Sequence, residues 1–214
     1  MDIYLLRHGE TDWNRTGRLQ GHADIPLNAH GRVQVNDTVR ILRNMGVRMD
    51  AMFSSPLKRA QESAVIAAAL LNYPRDGIEV ENLLIERDFG EGEGLTIKEG
   101  EIRYPGCNFP GIELQTDLVE RAGRAFRKIV DTCTKKGAER VLLVAHGAIL
   151  FALLEAVSEE PVSYSGQAAC IAQGSIYGIR YLDGKARFAR YDEGLNAFVE
   201  TNAAQIGREA CIYM

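Results

Sequence analysis

Three short continuous apolar runs lie at residues 3–6, 51–53 and 141–145. None of them alternates between apolar and polar residues. A strand covered on both faces has such a pattern because neither face meets water. The runs therefore predict three buried strands.

Longer stretches repeat their apolar residues at helical spacing, at residues 35–42, 60–71 and 118–133. Gly46 is placed to end the first of these predicted helices. The Ser-Pro pair at residues 55–56 has the chemistry of a cap and a first turn, and is predicted to start the second. The chain thus alternates predicted strands with predicted helices.

Two other segments complete the predicted fold. Residues 83–111 are rich in Gly and charge, which favours a long active-site loop over a regular element. Residues 176–182 and 186–191 flank Asp183-Gly184, a strong hairpin signal. Strands that alternate with helices predict an α/β fold, a three-layer sandwich with a mostly parallel sheet flanked by helices. The late hairpin is expected at one edge of the sheet.

Length and charge narrow the possible partners. A chain of 214 residues, 46% hydrophobic, can bury a substantial core as one domain over residues 1–214, although length alone also allows two small domains. The net charge is −4, and no dense cluster of Lys and Arg could follow a run of phosphates, so no nucleic acid is expected as a partner. No apolar run approaches the roughly 20 residues that cross a bilayer, so no membrane is expected either.

The cysteines and the N-terminus indicate a cytoplasmic protein. The first residues lack a basic leader followed by a long apolar stretch, and are expected to form a strand instead of a secretion signal. The four cysteines contain no C-x-x-C pair that would suggest a zinc or redox site. We expect reduced, mostly buried thiols at Cys107, Cys133, Cys170 and Cys211.

Basic side chains follow the predicted strands. Arg7 and His8 come directly after the first strand, and His146 follows the third. Ligands bind at the carboxyl ends of strands in open α/β sheets, so the two histidines are expected to share a cleft. Arg59, in the first turn of a predicted helix, could add a second guanidinium. Such an electropositive pocket suits a phosphoryl group, because guanidinium forks match its oxygens.

Phosphoryl transfer also needs a nucleophile and a proton donor. A neutral imidazole is a competent nucleophile, and Glu86 is a candidate donor if burial keeps it protonated. Each residue also has a simpler interpretation: a histidine can be a satisfied core residue, and an arginine a solvated one. Glu86 can be an exposed loop carboxylate, and three neighbours compete for its role, Asp88, Glu91 and Glu93.

Two further histidines lie in the first loop and at the start of the next helix. His22 is a candidate substrate contact, whereas a surface or capping role is expected for His30. Trp13 and the glycines at 90, 92 and 94 are expected to serve packing and turns. These glycines are not a phosphate loop, because the chain has no G-x-x-x-x-G-K-[ST] pattern.

Taken together, the motifs resemble the histidine phosphatase superfamily, in its phosphoglycerate mutase-like branch. The matching pieces occur in the family's order up to about residue 150: LRHGETDWN at residues 6–14, QGHADIPL at 20–27, SSPLKRAQESA at 54–64, Glu86, and AHG at 145–147. Asn28 departs from the Ser or Thr common after Pro-Leu in the family, which leaves a hydroxyl role there unsupported.

The resemblance implies a role for each matched residue. His8 would carry the phosphoryl group, Arg7, Arg59 and His146 would hold its oxygens, and Glu86 would be the acid/base. The phosphate pocket would be lined by Thr11, Asn14, Gln20, Gly21 and Gly147. Neither a metal nor a cofactor is expected in this family, and analogy with it suggests a homodimer.

Within the family, cations around the substrate separate mutases from phosphatases. A mutase must retain a doubly charged phosphoglycerate, and glycolytic mutases use a Lys after Gly-Leu-Asn and an Arg-Arg pair on a long insert. Here the matching stretch, residues 94–97, has the sequence GLTI, and residues 99–118 supply only Arg103. Hydrolysis of a small phosphomonoester metabolite is therefore expected. Lys98 keeps a mutase as the alternative, and a non-catalytic phosphoester-binding protein is a third hypothesis.

Overall fold

Seven strands form a single sheet in the computed structural model, which describes residues 1–160, 171–203, 205 and 206. The predicted strands at residues 3–6, 51–53 and 141–145 are confirmed. In chain order the strands are β1 (Asp2–Arg7), β2 (Ala51–Ser54), β3 (Ile78–Val80), β4 (Arg140–Ala145), β5 (Ile176–Leu182), β6 (Lys185–Asp192) and β7 (Ala197–Thr201).

The sheet is mixed, and the prediction of a mostly parallel sheet was wrong. Its order is β3-β2-β4-β1-β5-β6-β7; the first four strands are parallel, and each later strand is antiparallel to its neighbour. Helical crossovers return the chain to parallel neighbours, whereas the short turns after β5 and β6 can join only antiparallel ones. The predicted hairpin is confirmed as β5–β6, and β7 lies outside it at the edge.

Helices cover both faces of the sheet and complete the predicted three-layer sandwich. The helices are α1 (Asp12–Arg15), α2 (Ala29–Asn44), α3 (Lys58–Leu71), α4 (Ile97–Arg103), α5 (Gln115–Lys136) and α6 (Gly147–Val157). One core packs Leu5 and Leu143 against α5 and α6, and the other packs Leu6 and Leu142 against α2 and α3. No helix within the described ranges is long and apolar enough to cross a membrane.

Helix α3 begins later than the start predicted from the Ser-Pro pair at residues 55–56. Its N-cap is Leu57, which makes no side-chain cap, and Lys58 is the first helical residue. Asp24 supplies the cap from a distant loop, since its Oδ1 accepts a 2.7 Å hydrogen bond from Lys58 N. Arg59 still lies in the first turn, as predicted.

Residues 83–111 contain more regular structure than the predicted loop. Helix α4 lies within them, and Thr96 and Glu99 form a capping box at its start. This T-x-x-E signal was present in the sequence and could have identified the helix. Three 3₁₀ turns accompany it, at Asn82–Leu84, Gly90–Gly92 and Pro105–Cys107.

The glycines of this segment serve packing and turns, as expected. Gly94 has a positive φ of 82° and lies against the Trp13 ring, and a Cβ at Gly92 would meet the Phe109 ring at 2.5 Å. Among the cysteines, Cys133 is buried and Cys107 half-buried, both as free thiols. Cys170 and Cys211 lie outside the described residues.

Asn28 takes over the helix-capping role that a hydroxyl would serve. Its Oδ1 accepts a 2.8 Å hydrogen bond from Gly31 N at the start of α2, and its Nδ2 donates to Glu10 Oε1 at 2.8 Å. We expect Asn28→Ala to lower the free energy of unfolding by about 1 kcal/mol, because the N-terminal turn of α2 loses its acceptor. Denaturant unfolding measures this loss. Asn28→Ser retains an acceptor and should recover most of it; equal losses in both variants would contradict the capping role.

Candidate active site

The sheet places the first two predicted site residues side by side. β1 and β4 are adjacent parallel strands with Arg7 opposite Ala145, so His8 and His146 are the next residue of each strand. The ladder continues through a 3.0 Å hydrogen bond from His8 N to Ala145 O. The two imidazoles are buried, with ring centroids 5.1 Å apart.

Hydrogen bonds determine which nitrogen of each imidazole carries a proton. His8 Nδ1 lies 2.7 Å from the carbonyl oxygen of Gly9, which only accepts, so Nδ1 is protonated and Nε2 keeps its lone pair. His146 Nδ1 lies 3.2 Å from Arg59 Nε, which only donates. The neutral His146 ring therefore carries its proton on Nε2 and donates it to Ser55 Oγ at 2.6 Å.

The surroundings of both histidines favour the neutral form. Burial lowers the pKa of His8 well below 6.5, and the neighbouring guanidiniums of Arg59 and Arg7 lower it further. Burial, Arg59 and His8 act in the same direction on the pKa of His146. Burial also lowers the pKa of Arg59 to about 10, which leaves it protonated at neutral pH. A neutral nucleophile thus lies beside fixed positive charge.

We expect the free energy of unfolding to fall as the pH is lowered below about 6.5. Each imidazole has a folded pKa below its unfolded value of 6.5, so the unfolded chain binds more protons in this window. Stability present above pH 6.5 is then lost towards the folded pKa, by at most about 1.4 kcal/mol per pH unit for each imidazole. Denaturant unfolding between about pH 7 and 5.5 measures the slope. His8→Ala should flatten it and the exposed His30→Ala should not; an unchanged slope in His8→Ala would refute the explanation.

Arg59 is fixed by the loop that precedes α2. Its Nη2 donates to Gly21 O at 2.8 Å and its Nη1 donates to Ala23 O at 2.7 Å. Gly21 has a positive φ of 52°, which favours glycine, and a Cβ there would lie 1.9 Å from Glu93 Oε1, so the Glu93 side chain would have to move. Gly21 therefore reaches the site through its carbonyl group.

Arg7 and Gly147 lie at the ends of the two central strands, next to the histidines. Arg7 is half-buried and donates through Nη1 to the carbonyl oxygen of Ile171. Gly147, the first residue of α6, is buried and accepts from Ile171 N at 3.2 Å. The structure thus brings four predicted residues, Arg7, His8, Arg59 and His146, to one place.

Thr11, Asn14 and Gln20 form a polar network after β1. The buried Thr11 hydroxyl lies 2.9 Å from both Asn14 Oδ1 and Gln20 Oε1, and it accepts from Asn14 N as the N-cap of α1. These contacts give Thr11 a structural task. A contact of Asn14 or Gln20 with a phosphoryl oxygen stays a prediction.

Glu86 reaches the helix that His146 begins. Its Oε1 accepts from Ile149 N at 3.0 Å and Arg87 N at 2.9 Å, and its Oε2 accepts from Ala148 N at 3.3 Å. Burial lowers the pKa of Arg59, and the neighbouring Glu86 opposes that shift. Glu86 is buried and holds the N-terminal turn of α6.

The three competing carboxylates have other partners. Asp88 accepts from Gly90 N at 2.7 Å, and Glu93 accepts from the main-chain N–H groups of His22 and Ala23. Glu91 accepts from the Tyr104 hydroxyl on the exposed surface. Of these four carboxylates, Glu86 contacts the helix that carries His146.

His22 lies at the rim of the site. Its Nε2 donates to the main-chain carbonyl of Glu86 at 3.0 Å, and its Nδ1 lies 3.7 Å from Asp88 Oδ2. Its contact with substrate stays a prediction. His30 is exposed in the first turn of α2, as expected.

Sequence reasoning missed three polar residues around the site. Ser55 Oγ accepts a hydrogen bond from His146 Nε2, and its place directly after β2 was a usable signal, since β2 and β4 are neighbours. Arg121 and Glu113 bind each other and the main chain at Glu86, and no motif marked them. Among the described residues, no group of three His, Cys, Asp or Glu could hold a metal ion.

Comparison with known proteins gives the family. The family model described as "Histidine phosphatase superfamily (branch 1)" matches residues 3–194. The Bacillus subtilis phosphatase PhoE is 38% identical over 156 residues, 73% of this chain and 77% of that protein. A metal-independent phosphoserine phosphatase of Arabidopsis thaliana is 36% identical over 163 residues, 71% of this chain and 66% of that protein.

A solved structure shares the fold and confirms the predicted phosphoglycerate mutase-like architecture. The mycobacterial glucosyl-3-phosphoglycerate phosphatase, solved with VO3, has a TM-score of 0.75 and 26% identity, over 87% of this chain and 96% of that one. Together with the matched model, these similarities confirm the resemblance that the motifs carried. The chain belongs to branch 1 of the histidine phosphatase superfamily.

Proposed function

We propose that this enzyme hydrolyses small phosphomonoesters in two steps, through a phosphoryl group held on His8 Nε2. One observation carries the proposal: the Gly9 carbonyl accepts a hydrogen bond from Nδ1–H of the buried His8 imidazole, which leaves the Nε2 lone pair available. Arg7 and Arg59 lower the pKa of this imidazole and supply positive charge for the phosphoryl oxygens.

In the first step, His8 Nε2 attacks phosphorus. The P–N bond forms, the P–O bond to the leaving group breaks, and Glu86 gives its proton to the departing oxygen. Glu86 accepts three hydrogen bonds, and the longest of them, at 3.3 Å, joins Oε2 to Ala148 N. Oε2 is therefore the oxygen suited to carry that proton. His146 can share its Nε2 proton between Ser55 and a phosphoryl oxygen.

In the second step, water replaces the imidazole. The Glu86 carboxylate takes a proton from the attacking water, the P–N bond breaks, and its electron pair returns to Nε2. Inorganic phosphate leaves and Glu86 is protonated again. No step uses a metal ion, and an Arabidopsis relative is named metal-independent.

The exposure of Lys98 and Arg103 favours hydrolysis over the mutase alternative. Arg103 is exposed; it lies 4.0 Å from Glu91 and its guanidinium lies 5.2 Å from the centre of the Tyr104 ring. Its charge is thus partly neutralised on the surface, and Lys98 is exposed as well. The three relatives described above are named as phosphatases, which supports a small phosphomonoester as the substrate class. A Methylobacterium relative that is 30% identical over 164 residues is named as a 2,3-bisphosphoglycerate-dependent phosphoglycerate mutase, which keeps the mutase as the alternative.

Trapping the phosphorylated protein tests the route. Wild-type protein quenched with denaturant at alkaline pH during turnover of an aryl phosphate, with chelator present, should carry one phosphoryl group on the peptide that contains His8. The group should be lost in acid, as phosphohistidine is, and His8→Ala should not acquire it. The exposed His30→Ala should become labelled like the wild type. Label on another residue would refute the proposal, as would turnover that stops when metal is chelated.

Two activity measurements separate the remaining alternatives. Interconversion of 2- and 3-phosphoglycerate with a bisphosphoglycerate primer, at a rate above hydrolysis, would favour the mutase. Tight phosphate binding without hydrolysis across a broad panel would favour a binding protein. The single domain over residues 1–214, the cytoplasmic location and the homodimer stay proposals, the last of which sedimentation equilibrium can test.

A further inference from the structure

A largely buried ion pair fastens the main chain around Glu86 to helix α5. Arg121 Nε donates to Glu113 Oε1 at 2.8 Å and Nη2 donates to Glu113 Oε2 at 2.7 Å, a two-pronged contact. The two side chains are only 12% and 16% exposed. This pair lies outside the set of residues that touch the reacting groups in the proposed mechanism.

The remaining N–H groups of Arg121 all bind the main chain next to Glu86. Nη1 donates to Leu83 O at 2.8 Å and to Ile85 O at 2.7 Å, and Nη2 also donates to Glu86 O at 3.3 Å. A guanidinium has five N–H donors, and the five contacts use them all. Arg121 therefore keeps no donor for a substrate oxygen, and its contacts serve the position of residues 83–86.

Glu113 holds the other side of Glu86. Its main-chain N donates to Asp88 O at 2.9 Å, and its carbonyl accepts from Arg87 Nε at 2.9 Å. The main chain is thus bound by Arg121 at Leu83, Ile85 and Glu86, and by Glu113 at Asp88. The carboxylate is bound in turn by the N–H groups of α6.

We infer that Arg121 and Glu113 are positioning residues that aim the Glu86 carboxyl at the leaving oxygen. The inference rests on the acid/base role proposed for Glu86. Arg7 ends β1 and His8 follows it, Arg59 lies in α3, and His146 follows β4, so these residues are carried by elements other than the Arg121–Glu113 pair. Loss of the ion pair should therefore impair proton transfer and leave phosphoryl binding in place.

The basicity of the leaving group distinguishes this role from a general structural one. A nitrophenolate departs without a proton, whereas an alkoxide needs one in the transition state. The ratio kcat/KM reports the steps through transfer to His8, because release of the alcohol completes that transfer. A defect in positioning should thus appear in kcat/KM for alkyl phosphates and be nearly absent for 4-nitrophenyl phosphate.

The test compares variants on 4-nitrophenyl phosphate and glycerol 2-phosphate. For Arg121→Met we expect kcat/KM to fall about 10²-fold on glycerol 2-phosphate and less than about 3-fold on 4-nitrophenyl phosphate. Arg121→Lys keeps the charge but not the fork, and Glu113→Gln keeps the shape; both should show the same selectivity. If Arg121→Met does not fold, Arg121→Lys and Glu113→Gln still provide the test. Arg124→Met, exposed on the same helix, is the matched control and should change neither value.

Combination with Glu86→Gln completes the test. Glu86→Gln alone should lose activity on glycerol 2-phosphate selectively, and Arg121→Met should add little in that background, because it acts through Glu86. Equal losses on both substrates in folded Arg121 and Glu113 variants would overturn the inference, as would additive losses with Glu86→Gln. If Glu86→Gln itself lost kcat/KM equally on both substrates, the acid role proposed for Glu86 would be refuted. That outcome is distinguishable from failure of the positioning inference, which shows in the Arg121 and Glu113 variants.

Discussion

His8→Ala is expected to lose at least about 10⁴-fold in kcat/KM on an aryl phosphate, because it removes the nucleophile on which the route depends. The loss should appear in kcat, since Arg7 and Arg59 remain to bind the phosphoryl group. Steady-state kinetics with a chelator present measures it. Inorganic phosphate should still bind to the variant, which calorimetry can check.

The same variant should stay folded. The His8 imidazole is desolvated beside two guanidiniums, so its removal should cost less than the roughly 2–5 kcal/mol of a typical large-to-Ala core substitution. His30→Ala, with an exposed ring, should retain full activity. Turnover by folded His8→Ala within tenfold of wild type would exclude phosphohistidine chemistry at this residue.

Arg59→Met is expected to impair activity and stability together. A cation that faces the developing phosphoryl charge is lost, which should lower kcat/KM about 10²- to 10³-fold. The carbonyl oxygens of Gly21 and Ala23 lose their donor, so the free energy of unfolding should fall by about 3 kcal/mol. Kinetics on an aryl phosphate and denaturant unfolding measure the two effects.

Arg59→Lys is the informative companion variant. The lysine ammonium restores the positive charge but not the forked donor geometry of the guanidinium. The variant should therefore recover part of the activity but leave at least one of the two carbonyls without a donor. Lys58→Met changes the exposed neighbour and should affect neither property. The pKa of His146 should rise in Arg59→Met, because a positive charge that lowers it is gone; NMR titration detects this. If Arg59→Met kept wild-type activity and stability, as expected for Lys58→Met, the contacts assigned to Arg59 would be contradicted.

The central part of the fold was predictable because burial leaves a strong pattern. β1 and β4 lie inside the sheet and have helices on both faces, so their sequences are continuously apolar. The polar residue after each strand then stands out, and parallel pairing puts these residues next to each other. The two central histidines could therefore be placed together from sequence alone.

The predictions that failed concern features that depend on contacts between residues distant in sequence. The antiparallel pairing of β5 with β1 is one such feature, because no local pattern encodes it. The start of α3 is set by Asp24, thirty-four positions before Lys58. Helix α4 was missed for a different reason, since its capping box was readable but Gly and charge in its surroundings concealed it.

The supporting residues of the site were the hardest to predict. Arg121 lies on a helix with many charged positions, and its sequence neighbours do not distinguish it from the exposed Arg124. Only the folded chain shows that Arg121 is largely buried and saturated with acceptors. Residues that bear the chemistry could be recognised by type and by strand end, whereas residues that orient them are defined by tertiary structure.

The hydrogen bond between Asp88 O and Glu113 N closes the base of the segment 89–112. A loop joined at its base can change length at small entropic cost, because the ends are already together. Insertions or deletions within this segment, away from Glu93, should therefore leave the imidazoles at the strand ends in place. The chain separates a segment that tolerates changes of length from the two central strands that precede His8 and His146.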